Sequence, residues 1–229
     1  MNRCVAVPRH LVRRLWISVG GAVFFLAVST VHGAFVAGFD PWHQSVSALA
    51  LAPLGWVQAV NFIVLGAAFL ATVTPWRRVL AGGRGGTWYP ALTVVLGISF
   101  MAAGCVPQDP APGYDPAGLA LQAPTVTGLV HLAIAGVAAA SSIALMFIVA
   151  SRLSGDPDWH WWAAYTRGVA LLTVLCIAVY GTWSTRPVGY AGLFERAAII
   201  LPTIWGTSLL RRLGRGAPFM ADTASRSRG

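Results

Sequence analysis

The stretch that decides the fold is "TVTGLVHLAIAGVAAASSIALMFIVA", residues 125–150. His131 is its only ionisable side chain, and small and aliphatic residues make up most of the remainder. A helix needs about 20 consecutive, mostly apolar residues to cross the hydrocarbon core of a bilayer. This stretch is longer than that, so it predicts a transmembrane helix.

The rest of the chain has the same character. Of its 229 residues, 56% are hydrophobic and 10% are charged, whereas about a quarter of the residues in soluble domains are charged. We therefore predict an all-α polytopic membrane protein, a bundle of six transmembrane helices. The predicted spans are residues 15–37, 54–73, 88–106, 125–150, 165–183 and 191–210. The predicted regions are a basic cytoplasmic N-terminus (1–14), the transmembrane domain (15–210) and a basic, disordered cytoplasmic tail (211–229).

The net charge of +9 comes from arginines in alternate connections between the spans. Arginine in short loops marks the cytoplasmic side of a membrane, and of the 16 basic residues only Arg186 and Arg196 fall on the opposite side. This distribution predicts cytoplasmic N- and C-termini in the plasma (inner) membrane of a prokaryote. The same distribution indicates that the arginines interact with the anionic head groups of the lipid bilayer. We therefore expect no nucleic-acid partner.

The first connection on the outer side, "GFDPWHQSVSALALAPLGW" (38–56), is unusually polar for so hydrophobic a chain. Asp40 is a good N-cap and Pro41 a good first helical residue. We therefore predict a short outer interfacial helix between spans 1 and 2. His43 and Ser47 are four residues apart, so they would share a face of that helix.

Most polar side chains in or near the predicted spans lie at one depth in the membrane, the outer third of the bundle. Ionisable residues inside a span usually face the interior of the helix bundle and mark a functional site. We expect this level to hold Asp40, His43, Ser47, Asn61, Asp109, His131, Glu195 and Arg196.

Three chemistries fit these residue types. An acid held protonated in an apolar cavity would use Glu195 or Asp109. A zinc site would use His43, His131 and a carboxylate, although no paired-histidine motif supports it and we predict no metal ligand set. A purely structural network would link the helices through the same side chains. The cofactor and the oligomeric state are left open.

A resemblance appears at these residues. "DPWHQSVSALALAPLGWVQAVNFIVLG" (40–66), the Pro-x-Asp at 107–109, His131 early in the fourth span and "GLFERAAIILPTIW" (192–205) are similar to the Domain of Unknown Function 998 family. Its members are six-span prokaryotic membrane proteins, and the likeness covers about residues 14–210. The resemblance implies the same topology and the same polar positions, but no activity.

The leading hypothesis is a pocket that opens to the outer leaflet and binds or transforms a lipid or isoprenoid-like ligand. Glu195, His131 and Asp109 would be catalytic, with Glu195 as the acid. Asp40, His43, Ser47, Asn61 and Arg196 would bind substrate, with Arg196 as an anion clamp. The alternatives are a non-catalytic structural or partner-binding membrane protein, a zinc-dependent membrane hydrolase distantly similar to alkaline ceramidases, a membrane-bound terpene cyclase and a small-solute permease.

Overall fold

The computed structural model describes residues 7–83, 85–110, 115, 123–184 and 189–216. The first six residues, the predicted tail from 217 onward, Arg84, Arg186 and most of the second predicted outer connection lie outside the described residues. The domain limits predicted at both termini therefore remain predictions.

The described residues form seven α-helices and two 3₁₀ helices, with no strand among them, which confirms the predicted all-α class. Six of their segments are long and apolar enough to cross a membrane. The α-helices are α1 (Arg9–Ala34), α2 (Trp56–Leu70), α3 (Val73–Val79), α4 (Trp88–Cys105), α5 (Val126–Leu153), α6 (His160–Trp183) and α7 (Ala191–Gly214), and the 3₁₀ helices are Val46–Leu51 and Pro157–Trp159.

The second span consists of two helices, α2 and α3, which together cover Trp56–Val79. The break between them falls at Ala71 and Thr72. Pro75 follows it, and because proline has no backbone N–H, it cannot donate to the carbonyl four residues earlier. The predicted end of this span at residue 73 was therefore short by one helical segment.

The six spans form a ring in chain order. Each packs most extensively on the spans before and after it, and α7 closes the ring by packing against α1. Residues 35–55, 106–110, 123–125, 184, 189 and 190 lie at one end, called here the polar end. Residues 80–83, 85–87 and 154–159 lie at the other, the arginine end. Because the number of spans is even, the start of α1 and the end of α7 both lie at the arginine end.

The predicted interfacial helix is present but shorter than expected. Residues 41–44 form turns, and the 3₁₀ helix begins only at Val46, with the Ser45 side chain accepting a hydrogen bond from the N–H of Ala48 at 3.2 Å. Ser45 is therefore the N-cap of this helix, and the predicted N-cap, Asp40, is not. His43 thus lies outside the helix, and the predicted face shared by His43 and Ser47 is wrong.

The arginine end is closed by packed aromatic and aliphatic side chains. The rings of Trp76 and Tyr89 lie 4.7 Å apart, centroid to centroid. The buried Arg152 donates from Nη1 to the carbonyl of Leu80 at 2.9 Å. These contacts join α3, α4 and α5 and close the ring at this end.

Candidate functional site: a cavity along the axis of the ring

The ring encloses a cavity of about 700 Å³ lined by all six spans. It extends from His43 and Asp109 at the polar end to Trp76 and Tyr89 near the arginine end. Along α5 it runs from Gly128 to Met146, about 27 Å at the helical rise of about 1.5 Å per residue. The space is therefore elongated along the ring.

The half of the cavity toward the arginine end is apolar. Its walls include Leu96, Met146 and Leu209. Several hydroxyl-bearing side chains also line it, but Thr93 and Thr203 donate their hydroxyl protons to carbonyls four residues earlier, each at 2.8 Å. A molecule in this half would therefore meet hydrocarbon surfaces, threonine hydroxyls whose protons are already donated and the hydroxyl of Ser142.

The polar end of the cavity has a different lining. The side chains that meet there are His43, Ser45, Ser47, Gln108, Asp109, His131, Tyr180 and Glu195. They include all three residues expected to be catalytic, so Glu195, His131 and Asp109 share one cavity. Asp40, Asn61 and Arg196 are not among its described lining residues.

Glu195 and Arg196 hold the 38–47 connection by its backbone. Glu195 Oε2 accepts a hydrogen bond from the N–H of Val46 at 2.6 Å. Arg196 Nη1 donates to the carbonyls of Pro41 and Gln44 at 2.7 and 2.9 Å. A carboxylate can only accept and a guanidinium can only donate, so the adjacent pair fits an N–H on one side and carbonyls on the other.

The first turn of α7 touches the same connection directly. The N–H of Leu193 donates to the carbonyl of Trp42 at 2.9 Å. At Gly192, an added Cβ would lie 2.3 Å from the carbonyl oxygen of Gln44 and 2.5 Å from that of Pro41. Only glycine leaves room for this approach, so Gly192 sets how closely the connection packs on α7.

Asp109 is bound at the start of α5. Its Oδ2 accepts from the N–H of Thr125 at 2.9 Å, and its Oδ1 accepts from the Thr125 hydroxyl at 2.6 Å. The Thr125 hydroxyl oxygen in turn accepts from the N–H of Gly128 at 3.0 Å. Thr125 is therefore the cap of α5, and Asp109 holds this capping residue in place as well as lining the cavity.

His131 is buried one turn further along α5. Its Nδ1 lies 2.6 Å from the carbonyl oxygen of Val106. A carbonyl oxygen offers only lone pairs, so Nδ1 carries the proton that makes this bond. In the neutral ring, Nε2 is then left as a hydrogen-bond acceptor.

Asp40 and His43 form a pair at the rim. His43 Nδ1 lies 2.6 Å from Asp40 Oδ2, and the His43 ring stacks on Tyr190 with 5.1 Å between centroids. The N–H of Trp42 donates to Asp40 Oδ1 at 2.8 Å. That backbone bond, together with the His43 ring, holds the pKa of Asp40 below its usual value.

Asn61 lies between α1 and α2, away from the cavity lining. Its Nδ2 donates to the carbonyl of Phe25 at 3.0 Å and to the hydroxyl of Ser29 at 3.2 Å. Ser29 also donates to Gln58 Oε1 at 3.2 Å. Ser29, Gln58 and Asn61 are all buried, so they join two helices.

Three further residues at the polar end, Ser45, Gln108 and Tyr180, were not among those predicted from the sequence. Ser45 donates its hydroxyl to Gln108 Oε1 at 2.9 Å, which links two connections. Tyr180, near the end of α6, hydrogen-bonds with the side chain of Ser45. Two of them could have been found from the sequence. Tyr180 lies at the same predicted depth as the other polar residues, and Gln108 directly precedes Asp109.

The family comparison matches this chain along most of its length. The model described as "Protein of unknown function (DUF998)" matches residues 19–212, which include every residue of the cavity discussed above. The chain belongs to this family. The match confirms the resemblance seen in the sequence. The comparisons with curated proteins and with solved structures gave no match.

In this DUF998 chain, no group of three or more His, Cys, Asp or Glu within the described residues could hold a metal ion. His43 and His131 both line the cavity, but no further described His, Cys, Asp or Glu completes a group with them that could hold a metal ion. The zinc alternative therefore finds no ligand set in the part of the chain that the structure describes.

The arrangement gives this DUF998 protein two unlike regions in one cavity. One region is mainly apolar, and the other is a cluster of carboxyl, imidazole, amide and hydroxyl groups. Small-molecule sites commonly combine a mostly apolar pocket with a few convergent polar groups. The volume of about 700 Å³ lies inside the usual range of about 300–1,000 Å³.

Proposed function

We propose that this multi-pass membrane protein binds a single-chain lipid or isoprenoid-like molecule, with the chain in the apolar half of the cavity and the head group at the polar end. The single observation that carries the proposal is the shape and lining of the cavity. It is about 27 Å long, apolar toward Met146 and polar toward Glu195.

The polar end should decide which lipid is bound, because the head group and the hydrocarbon chain gain very different free energies on entering the cavity. Lipid tails in the bilayer are as apolar as the wall of the apolar half, so a hydrocarbon chain gains little by moving from one to the other. A polar head group, in contrast, gains hydrogen bonds that hydrocarbon cannot supply. The contacts around Glu195 and His131 therefore determine which molecule is retained.

If the bound molecule is also transformed, Glu195 and His131 are the residues we assign to proton transfer, because both line the cavity. We assign Asp109 to positioning, since both its oxygens bind Thr125. We assign Arg196 and Asp40, which lie behind the lining, to holding the 38–47 connection as a cover. His43 and Ser47 remain proposed head-group contacts.

A matched pair of substitutions tests the binding proposal. Ala139 lines the cavity, whereas its neighbour Ala140 is exposed and is not among the lining residues. The full chain would be purified in mild detergent and analysed by native mass spectrometry after incubation with hexadecanol. We expect a one-to-one adduct in wild type and Ala140→Phe and its loss in Ala139→Phe. No adduct in any of the three, or equal adducts in all, would overturn the proposal.

A structural role is the second candidate, and a specific observation favours it. Glu195 and Arg196 bind the backbone of the 38–47 connection, which a purely structural network also requires. Under this reading, the Ala139→Phe variant would behave like wild type in every binding measurement, and the polar residues would affect only stability.

We also propose that the arginine end faces the cytoplasm of a prokaryotic cell across its plasma membrane, with both termini inside. Arg78, Arg152 and Arg212 lie at that end, whereas Arg196 lies at the polar end. Single cysteines introduced at Trp42 and at Arg211, both exposed, test this orientation in intact cells. The native Cys4, Cys105 and Cys176 would be replaced by serine, because Cys105 is exposed at the polar end. A membrane-impermeant thiol reagent should then label position 42 only, and the reverse pattern would overturn the orientation.

A further inference from the structure

We infer that the molecule in the cavity is a long-chain alcohol or amine, whose head group donates hydrogen bonds and carries no negative charge. This inference rests on the proposed binding function and names the ligand chemistry of the same site. The hydrogen-bonding and charge of the cavity lining at its polar end carry it.

Among the side chains proposed to meet the head group, Glu195 and His131 present acceptors, and the hydroxyl of Ser47 can accept as well as donate. The carboxyl of Glu195 lines the cavity, and only its Oε2 is engaged by Val46. His131 donates from Nδ1 to Val106, so the neutral ring presents Nε2 as an acceptor. An acceptor pair of this kind is complementary to a hydroxyl or an amine, because both groups donate.

The charges at this end disfavour an anionic head group. Asp109 and Glu195 both line the cavity, and no arginine is among its described lining residues. Arg196 lies behind the lining, and its Nη1 is bound to the carbonyls of Pro41 and Gln44. A phosphate or carboxylate would therefore lie beside acidic side chains with no cation of the lining to balance its charge, and burying a charge without a partner is costly.

Helix N-termini are the other usual source of anion binding. Of the three α-helices that begin at this end, α5 and α7 have first-turn residues in the cavity lining, and in each of these two the protein itself accepts from N–H groups of the first turn. At the start of α5, Asp109 accepts from the N–H of Thr125, and Thr125 accepts from the N–H of Gly128. At the start of α7, the N–H of Leu193 donates to the carbonyl of Trp42. These donors are taken by groups of the protein itself.

The test compares four head groups on one chain: hexadecanol, hexadecylamine, hexadecanoate and hexadecyl phosphate. The full-length protein in mild detergent would be titrated with each compound at neutral pH, with adducts counted by native mass spectrometry and thermal stabilisation recorded in parallel. We expect the alcohol and the amine to bind at least tenfold more tightly than either anion. Tighter or equal binding of an anion would overturn the inference.

A variant separates the ionisable carboxyl of Glu195 from its hydrogen bond to Val46. Glu195→Gln keeps an oxygen that accepts from Val46 but cannot take a negative charge. We expect it to weaken the amine several-fold relative to the alcohol, and an unchanged ratio would contradict the assigned role of Glu195. If none of the four compounds binds wild type, the proposed function fails. If all four bind equally, the proposed function stands and the head-group inference alone fails.

Discussion

Glu195 and Val46 are 149 positions apart in the chain and are joined by a hydrogen bond of 2.6 Å between the carboxyl Oε2 and the backbone N–H. Val46 begins the 3₁₀ helix that lies on α1, α2 and α7 at the polar end. The bond therefore fixes the cover of the cavity to its wall. The same carboxyl lines the cavity, so a change there has both a structural and a binding consequence.

Substitution of Glu195 separates these consequences. Glu195→Ala leaves the buried N–H of Val46 without its acceptor, and we expect the free energy of unfolding to fall by about 1–3 kcal/mol. Glu195→Gln retains an acceptor and should lose about 0.5–1.5 kcal/mol. Unfolding in mild detergent measures both, with Ser208→Ala, an exposed position on the same helix, as control. Equal losses for Gln and Ala would show that the bond to Val46 contributes nothing.

Arg196 should control the order of the 38–47 connection. Arg196→Met removes the donor to the carbonyls of Pro41 and Gln44, and we expect a loss of about 1.5–3 kcal/mol for hydrogen bonds made by a charged group. Limited chymotrypsin digestion should then cleave at Phe39 or Trp42 faster than in wild type. Arg211→Met, an exposed arginine on the same helix, is the control. Identical cleavage rates for all three proteins would contradict the clamp.

Gly192 offers a steric test of the same contact. Gly192→Ala places a Cβ within 2.3 Å of the Gln44 carbonyl oxygen, whereas at Gly206 the nearest atom, Cγ2 of Val19, would be 3.5 Å away. We expect Gly192→Ala to destabilise by about 1–3 kcal/mol, as overpacking does. Gly206→Ala should be neutral or stabilising, since alanine favours the helix by about 1 kcal/mol. Thermal unfolding of the two variants tests this expectation. Similar melting temperatures for both would contradict the close approach of the 38–47 connection to Gly192.

The spans and the level of the polar side chains were predictable because both depend on position along the chain. Hydrophobic length fixes where a helix crosses the bilayer, and that placed His131 and Glu195 at one depth. The direction in which a side chain faces depends on how the helices pack against one another. This packing cannot be predicted from the local sequence around the residue. Asn61 lies at the predicted depth, yet it faces α1 at Phe25.

The contacts of the 38–47 connection were harder to predict for another reason. Both Asp40 and Ser45 are good N-caps, and the local sequence does not rank them. Ser45 caps the 3₁₀ helix while Asp40 binds Trp42 and His43. Bonds from Glu195 and Arg196 to backbone groups also leave no sequence pattern, because any residue supplies the same N–H and carbonyl.

Asn61 should matter for stability and leave ligand binding unchanged. Asn61→Leu removes the bonds to Phe25 and Ser29, and interhelical hydrogen bonds in membrane proteins contribute about 0.6 kcal/mol on average and at most about 1.7. We expect a loss in that range with an unchanged dissociation constant for hexadecanol in the folded protein. Weaker hexadecanol binding without loss of stability would instead return Asn61 to the substrate-binding residues, as first predicted.

Asp40 should make the stability of the folded protein sensitive to acid. Its pKa in the folded protein is below the usual value of 3.8, chiefly because the N–H of Trp42 donates to it and also because of His43. The ionised carboxylate therefore stabilises the fold fully above about pH 3.8, and this contribution is lost as the pH falls through the lower folded-state value. We expect wild type to melt above Asp40→Asn at neutral pH and the difference to shrink below about pH 4. In His43→Phe the pH dependence should persist in weaker form, because the Trp42 bond remains. A difference that stays constant to the lowest pH measured would contradict the assignment.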